Sequence, residues 1–205
     1  MKNFSPVKIL FLTLALMLTA LSAAMAAEMP RVAIIYANNA NTTYDDAIND
    51  CILQNLDKEL SGKFNVSRSD AVIQKLADKG MTDLSMAERR DIMDVVADEG
   101  FDYILCLTLE PFQRKEKFSV FTQGIEIIAT VPVKIIDVKG DRYIYNGKFV
   151  EKHYDSTWIG TVGNKSVALE ALNKVNKGLN KVLREKMPVA KDSAGAKDNV
   201  IRKEI

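Results

Sequence analysis

Histidine is almost absent from this chain, with His153 the only one. A Ser-His-Asp site would have to use His153 as its base, oriented by Asp155 or another carboxylate, and no Gly-x-Ser-x-Gly turn supplies a nucleophile. Zinc needs three or four clustered His, Cys or acidic ligands, and one histidine with two distant cysteines, Cys51 and Cys106, does not provide them. Net charge is also missing. Lys and Arg total 28 against 27 Asp and Glu, so no basic excess points to nucleic acid. No repeat or low-complexity block interrupts the middle of the chain. These absences leave no expected cofactor, metal or catalytic residue, and they argue for a non-enzymatic protein.

The N-terminus carries a three-part pattern. Lys2 and Lys8 form a basic start, Ile9 to Leu21 is an uncharged apolar run, and Ser22 to Ala27 are small residues around Met25. Ala24-Met25-Ala26 is an Ala-x-Ala cleavage site, and Met25-Ala26-Ala27 fits nearly as well. This is a secretory signal peptide. The apolar run is shorter than the ~20 residues that a membrane-spanning helix requires. No cysteine precedes Cys51, which argues against a lipid anchor. Residues 1–26 are therefore expected to be removed, leaving an extracytoplasmic protein, periplasmic or secreted, with no stable membrane span. About 178 residues remain, enough for one domain with its own core. That domain is expected over 27–188, with a charged, small-residue tail over 189–205 expected to be disordered.

Hydrophobic periodicity predicts the elements. Arg31–Ala37 reads as a strand buried on both faces. Thr43 is expected to cap a helix carrying Ala47, Ile48, Cys51, Ile52, Leu56 and Leu60, with Gly62 at its end. Asp45, Asp46 and Asp50 are better explained by the favourable field of that helix start than by a cation. Phe64–Val66 reads as a short strand, and Ser69 caps a brief helix with Val72, Ile73 and Leu76. Ser85-x-x-Glu88 predicts a capping box opening a helix with Ile92, Met93, Val96 and Ala97 on its buried stripe. Alternation then replaces the helical period. Phe101, Tyr103, Leu105, Leu107 and Leu109 share one strand face, and Pro111 interrupts the pairing. Further strands are expected over about 112–121, ending at a turn containing Gly124, and over 125–138 and 143–154, the last two joined by Lys139-Gly140-Asp141. A long amphipathic helix follows over 166–186. The order β-α-β-α-α-β-β-β-α describes an α+β fold, read as two layers. It has a mixed sheet, a C-terminal antiparallel meander, helices packed on the sheet and a terminal amphipathic helix.

Gly160-Thr-Val-Gly163-Asn164-Lys165-Ser166 superficially suggests a phosphate loop, but Asn164 separates Gly163 from Lys165 and the spacing is too short. A loop and a helix start account for it. Cys51 and Cys106 either form one disulfide in an oxidising compartment or stay as two core thiols. They are expected to lie near each other if the helix of Cys51 packs on the strand of Cys106. The apolar residues of interest are Phe118, Val120 and Phe121 near a hairpin tip, with Trp158 and Ile159 in a Gly-flanked loop. Aromatic loop residues anchor interfaces, and Phe118, Phe121 and Trp158 are the candidates here. The other reading folds them onto the core.

Three stretches resemble a group of bacterial envelope domains. Val32-Ala-Ile-Ile-Tyr-Ala37 looks like their opening strand, and Gly100-Phe-Asp-Tyr-Ile-Leu105 looks like their helix-to-strand passage. The third stretch is the meander with its terminal helix. The group includes the N-terminal domain of the translocation protein TolB, the curli secretion protein CsgG and the lipoprotein activators of penicillin-binding proteins. The sequence departs from the lipoproteins in lacking a lipobox cysteine, and from TolB in lacking propeller repeats. The resemblance implies protein–protein binding to an envelope protein and no catalytic residues. A pocket between the last helix and the meander, taking a small ligand or lipid, is the alternative function.

Overall fold

The computed structural model describes residues 29–96, 98–158 and 160–187. The expected signal peptide (1–26) and tail (189–205), together with Ala97 and Ile159, lie outside them. The described elements are, in order, β1 (Arg31–Asn38), α1 (Asp45–Leu60), β2 (Asn65–Arg68), α2 (Asp70–Asp78) and α3 (Arg89–Val96). After them come β3 (Tyr103–Leu109), β4 (Gln113–Phe118), β5 (Gln123–Asp137), β6 (Arg142–Thr157) and α4 (Asn164–Lys186). The fold is α+β with a mixed, open sheet.

β1 lies between β2 and β3 and is parallel to both. β5 pairs antiparallel with β3, β4 and β6. One long edge of β5 takes β3 and β4 in succession. Leu107 faces Val133 and Gln113 faces Ile128, so the register slips by one residue between the two segments. The slip coincides with Pro111 and Pro132. Glu110 N–H donates to the Thr130 carbonyl at 3.0 Å, so the even-numbered backbone groups of β5 point towards β3 and β4, and Pro132 has no N–H to offer there. A proline is tolerated in a central strand because the ladder is already broken at that point. Four strands follow α3, matching the four expected runs although the compressed order counts three, and β3 and β4 are halves of one broken strand.

The odd residues of β3 and β5 and the even residues of β1 meet α1 and α4. Val32, Ile34, Leu105, Leu107, Val131, Val133, Ile52, Leu56, Leu172 and Leu179 form that core. The opposite face carries α2 and α3 over β1 and β3, with Ala33, Ile35, Leu76, Ile92, Ile104, Cys106 and Ile136 buried. This adds a third, partial layer to the two expected. Its border is marked by Lys134, whose Nζ donates to the Ser85 and Ala87 carbonyls at 2.6 and 2.5 Å.

Local chemistry explains where the elements start. Thr43 does not cap α1. Asp45 Oδ1 instead accepts from the Thr42 N–H and hydroxyl at 3.0 and 2.7 Å. The expected capping box at Ser85 does not form. Asp83 wraps a turn, accepting from Ser85 N–H at 2.9 Å, and Met86 N–H closes it. A short acidic side chain that bonds its own neighbours competes with helix in this way. α3 begins four residues later, where Asp91 Oδ2 accepts from Glu88 N–H at 2.9 Å. Gly124 is not in a turn. It sits inside β5 opposite Lys117 and Ser156, and a Cβ there would come within 2.5 Å of the Tyr154 ring.

Candidate functional site: an aromatic end of the sheet

β4 and β5 are joined by Ser119-Val-Phe-Thr122. Ser119 N–H donates to the Thr122 carbonyl at 2.8 Å, and Thr122 N–H donates back to Ser119 Oγ at 3.0 Å. The turn satisfies its own polar groups and holds Val120 and Phe121 at its tip. β6 ends beside it, with Thr157 opposite Gln123, and the chain leaves through Trp158. The Phe121 and Trp158 rings stack at 6.3 Å with planes 22° apart. Phe118 is 68% exposed, Val120 88%, Phe121 72% and Trp158 79%. The candidate aromatics thus stand out from the core rather than folding onto it, and two of them support each other. Behind them, Arg114 Nε donates to Asn164 Oδ1 at 3.0 Å, tying β4 to the first residue of α4. Lys117 pairs with Glu126 at 2.9 Å and lies 5.2 Å from the Tyr154 ring centre. It donates to Glu126, which holds that carboxyl below its usual range.

The cysteines correct an expectation. Both are free thiols. Cys51 packs at the edge of the α1/α4 core, whereas Cys106 is buried under α2 and α3. The sheet separates them, so they are neither neighbours nor bonded. Burial pushes the Cys106 thiol up to about 12. Burial also raises Cys51, partly offset by its contact with Asn176.

The remaining sequence candidates find plain structural places. His153 is half-buried on β6 opposite Ile127, and its side chain makes no hydrogen bond among the described residues. Gly163 is the N-cap of α4, and Ser166 Oγ donates to its carbonyl at 2.9 Å. Among the described residues, no three His, Cys, Asp or Glu side chains are grouped for a metal, and no helix is long and apolar enough to cross a membrane. The space between α4 and the meander is filled by Val167, Ala168, Ala171, Leu172, Val175 and Leu179, all nearly fully buried.

Sequence periodicity missed a polar seam between α1 and α4. Asn55 and Asn180 exchange amide hydrogen bonds at 2.9 and 3.0 Å. Asn176 Nδ2 donates to the Cys51 carbonyl at 3.0 Å. Arg184 grips Glu59 with two bonds of 2.8 and 2.6 Å, and Lys63 adds a third at 2.9 Å. Arg184 chiefly, then Lys63, holds the Glu59 carboxyl at about 2. The signal was the spacing of Cys51, Asn55 and Glu59 against Asn176, Asn180 and Arg184, four residues apart on each helix.

No family model matches the chain, and no curated protein matches it. Among solved structures it is similar to lipoprotein GNA1162 from Neisseria meningitidis, at 10% identity and a TM-score of 0.40, over 74% of this chain and 99% of that one. It is also similar to the LpoB C-terminal domain from Escherichia coli, at 15% identity and a TM-score of 0.32, over 62% and 84%. TolB from Acinetobacter baumannii is similar at 13% identity and a TM-score of 0.37, over 78% and 29%.

Proposed function

We propose that the mature chain is a non-enzymatic extracytoplasmic protein that binds an envelope protein through its aromatic end. The observation that carries this reading is the exposure of Phe118, Val120, Phe121 and Trp158 at one end of the sheet, beside a hydrogen-bonded turn. The export pattern over 1–26 supports the compartment. Large rings held on short loops lose little freedom on docking, and each buried there contributes about 1.5–3 kcal/mol. The buried side chains that fill the space under α4 favour this reading over a ligand or lipid pocket there.

The test measures thermal stability and recovery of an envelope partner on Phe118→Ala, Phe121→Ala and Trp158→Ala. Each variant should keep the parent's melting temperature and weaken binding by roughly 2 kcal/mol or more. A variant that melts early yet recovers the partner normally would sink the assignment.

A further inference from the structure

On one face helices cover β1, β3, β5 and β6, and on the other they cover mainly β1 and β3. The uncovered part belongs to β4, β5 and β6. Its floor is Ile128 and Pro132, half-buried on β5, and Val150, 52% exposed on β6 opposite Thr130. The register slip at Pro111 turns the odd residues of β4 to this face, so Lys115 and Lys117 line one side. Lys148 and Lys152 line the other, opposite Pro132 and Ile128. Lys115, Lys148 and Lys152 make no ion pair among the described residues. Of the residues of β4, β5 and β6 on this face the one acid is Glu126, which is buried and already held by Lys117 at 2.9 Å.

An apolar floor between two rows of lysines has a definite complement. We infer that an acidic amphipathic helix of a partner protein lies along β5 on this face, its apolar stripe on Ile128, Pro132 and Val150 and its carboxylates against Lys115, Lys148 and Lys152. Helices already cover β1 and β3 on both faces and β5 on the other, so a helix is the element this sheet packs. From Glu126 to Pro132 the floor runs about 20 Å at ~3.4 Å per residue, the length of a helix of about 14 residues. Apolar contact supplies affinity, and the lysines select an acidic helix over a basic one. This surface faces away from α4 and is separate from the aromatic end.

A synthetic amphipathic helix of about 14 residues, with leucine on one stripe and glutamate on the other, is the probe. It is titrated into isotope-labelled protein and followed by amide chemical shifts. The shifts should centre on Ile128, Thr130 and Val150, and the same peptide with lysine for glutamate should bind at least about tenfold more weakly. The combined variant Lys115→Glu, Lys148→Glu, Lys152→Glu alters only exposed side chains and should reverse that preference, while Trp158→Ala should leave it unchanged. Equal binding of both peptides, or shifts centred on Phe121 and Trp158, would overturn the inference. Phosphatidylglycerol vesicles tested in parallel decide the other class of partner. Lysine-dependent vesicle binding without peptide binding would make the surface a lipid contact and refute the helix.

Discussion

The two faces of this sheet are built from the same strands and differ in their covering. On the α1/α4 face, β5 presents Ile125, Ile127, Ala129, Val131, Val133 and Ile135, all buried. On the other face it presents Glu126, Ile128, Thr130, Pro132 and Lys134 before reaching Ile136 under α3. β3, which has helices on both sides, is apolar at nearly every position, as Tyr-Ile-Leu-Cys-Leu-Thr-Leu. The composition of a strand thus records how many of its faces are covered. A strand with one covered face can alternate, and a strand with two cannot.

Substitutions should sharpen this contrast. The largest effect is expected on the fully covered side. Leu172→Ala removes a side chain enclosed by α1 and the sheet and should cost about 2–5 kcal/mol in denaturant unfolding. Ile104→Ala, under α2 and α3, should cost a similar ~2–5 kcal/mol, because that half of the second face is as dry as the first. A clearly smaller loss at Ile104 would mean that α2 and α3 cover their half loosely.

Acid should act next, and most strongly through the α1/α4 side. The Glu59 carboxyl sits at about 2 in the folded protein, against 4.5 for a free glutamate. A depressed carboxyl contributes stability that is fully present above the unfolded value and is lost as pH falls through the folded one. Melting temperature should therefore fall between about pH 5 and pH 2, and Arg184→Ala should flatten that part of the profile. The gain is modest because Arg184 is itself largely exposed. A profile unchanged by Arg184→Ala would show that the seam has no role in acid sensitivity.

The cysteines separate the faces by chemistry rather than stability. In native, unreduced protein a thiol reagent should modify Cys51 slowly and Cys106 only after unfolding, two thiols in all. A single thiol count of zero after unfolding would mean a disulfide, which the sheet between them forbids. The smallest effect belongs to the uncovered area. Val150→Ala should change stability by less than about 0.5 kcal/mol, since no helix rests on it.

Much of the architecture was legible. Alternation and helical spacing located β1, β3, β5, β6, α1 and α4 within a few residues. What failed was chemistry at the joints. Ser85 lost its capping role to Asp83, and Gly124 looked like a turn because glycine serves equally well beneath a tyrosine ring. The separation of the cysteines was readable by parity. If α1 covers the face of Leu105 and Leu107, Cys106 must point the other way. Exposure of the aromatic end could not be read, because composition does not say whether a loop ring turns in or out. The lysine rows were hidden by a net charge near zero. They show only when Lys115 and Lys117, and Lys148 and Lys152, are counted by twos.

The break at Pro111 acts as a change of reading frame between sequence and surface. Before it, odd positions point to the main core. After it, odd positions point away, which is why Phe118 stands on the α4 side and Lys117 does not. Sliding β4 by one residue along β5, into the register that β3 keeps, would restore a single frame through both segments. Every side chain of β4 would then exchange faces without any change in its identity, carrying Phe118 away from Trp158 and the two lysines over towards α4.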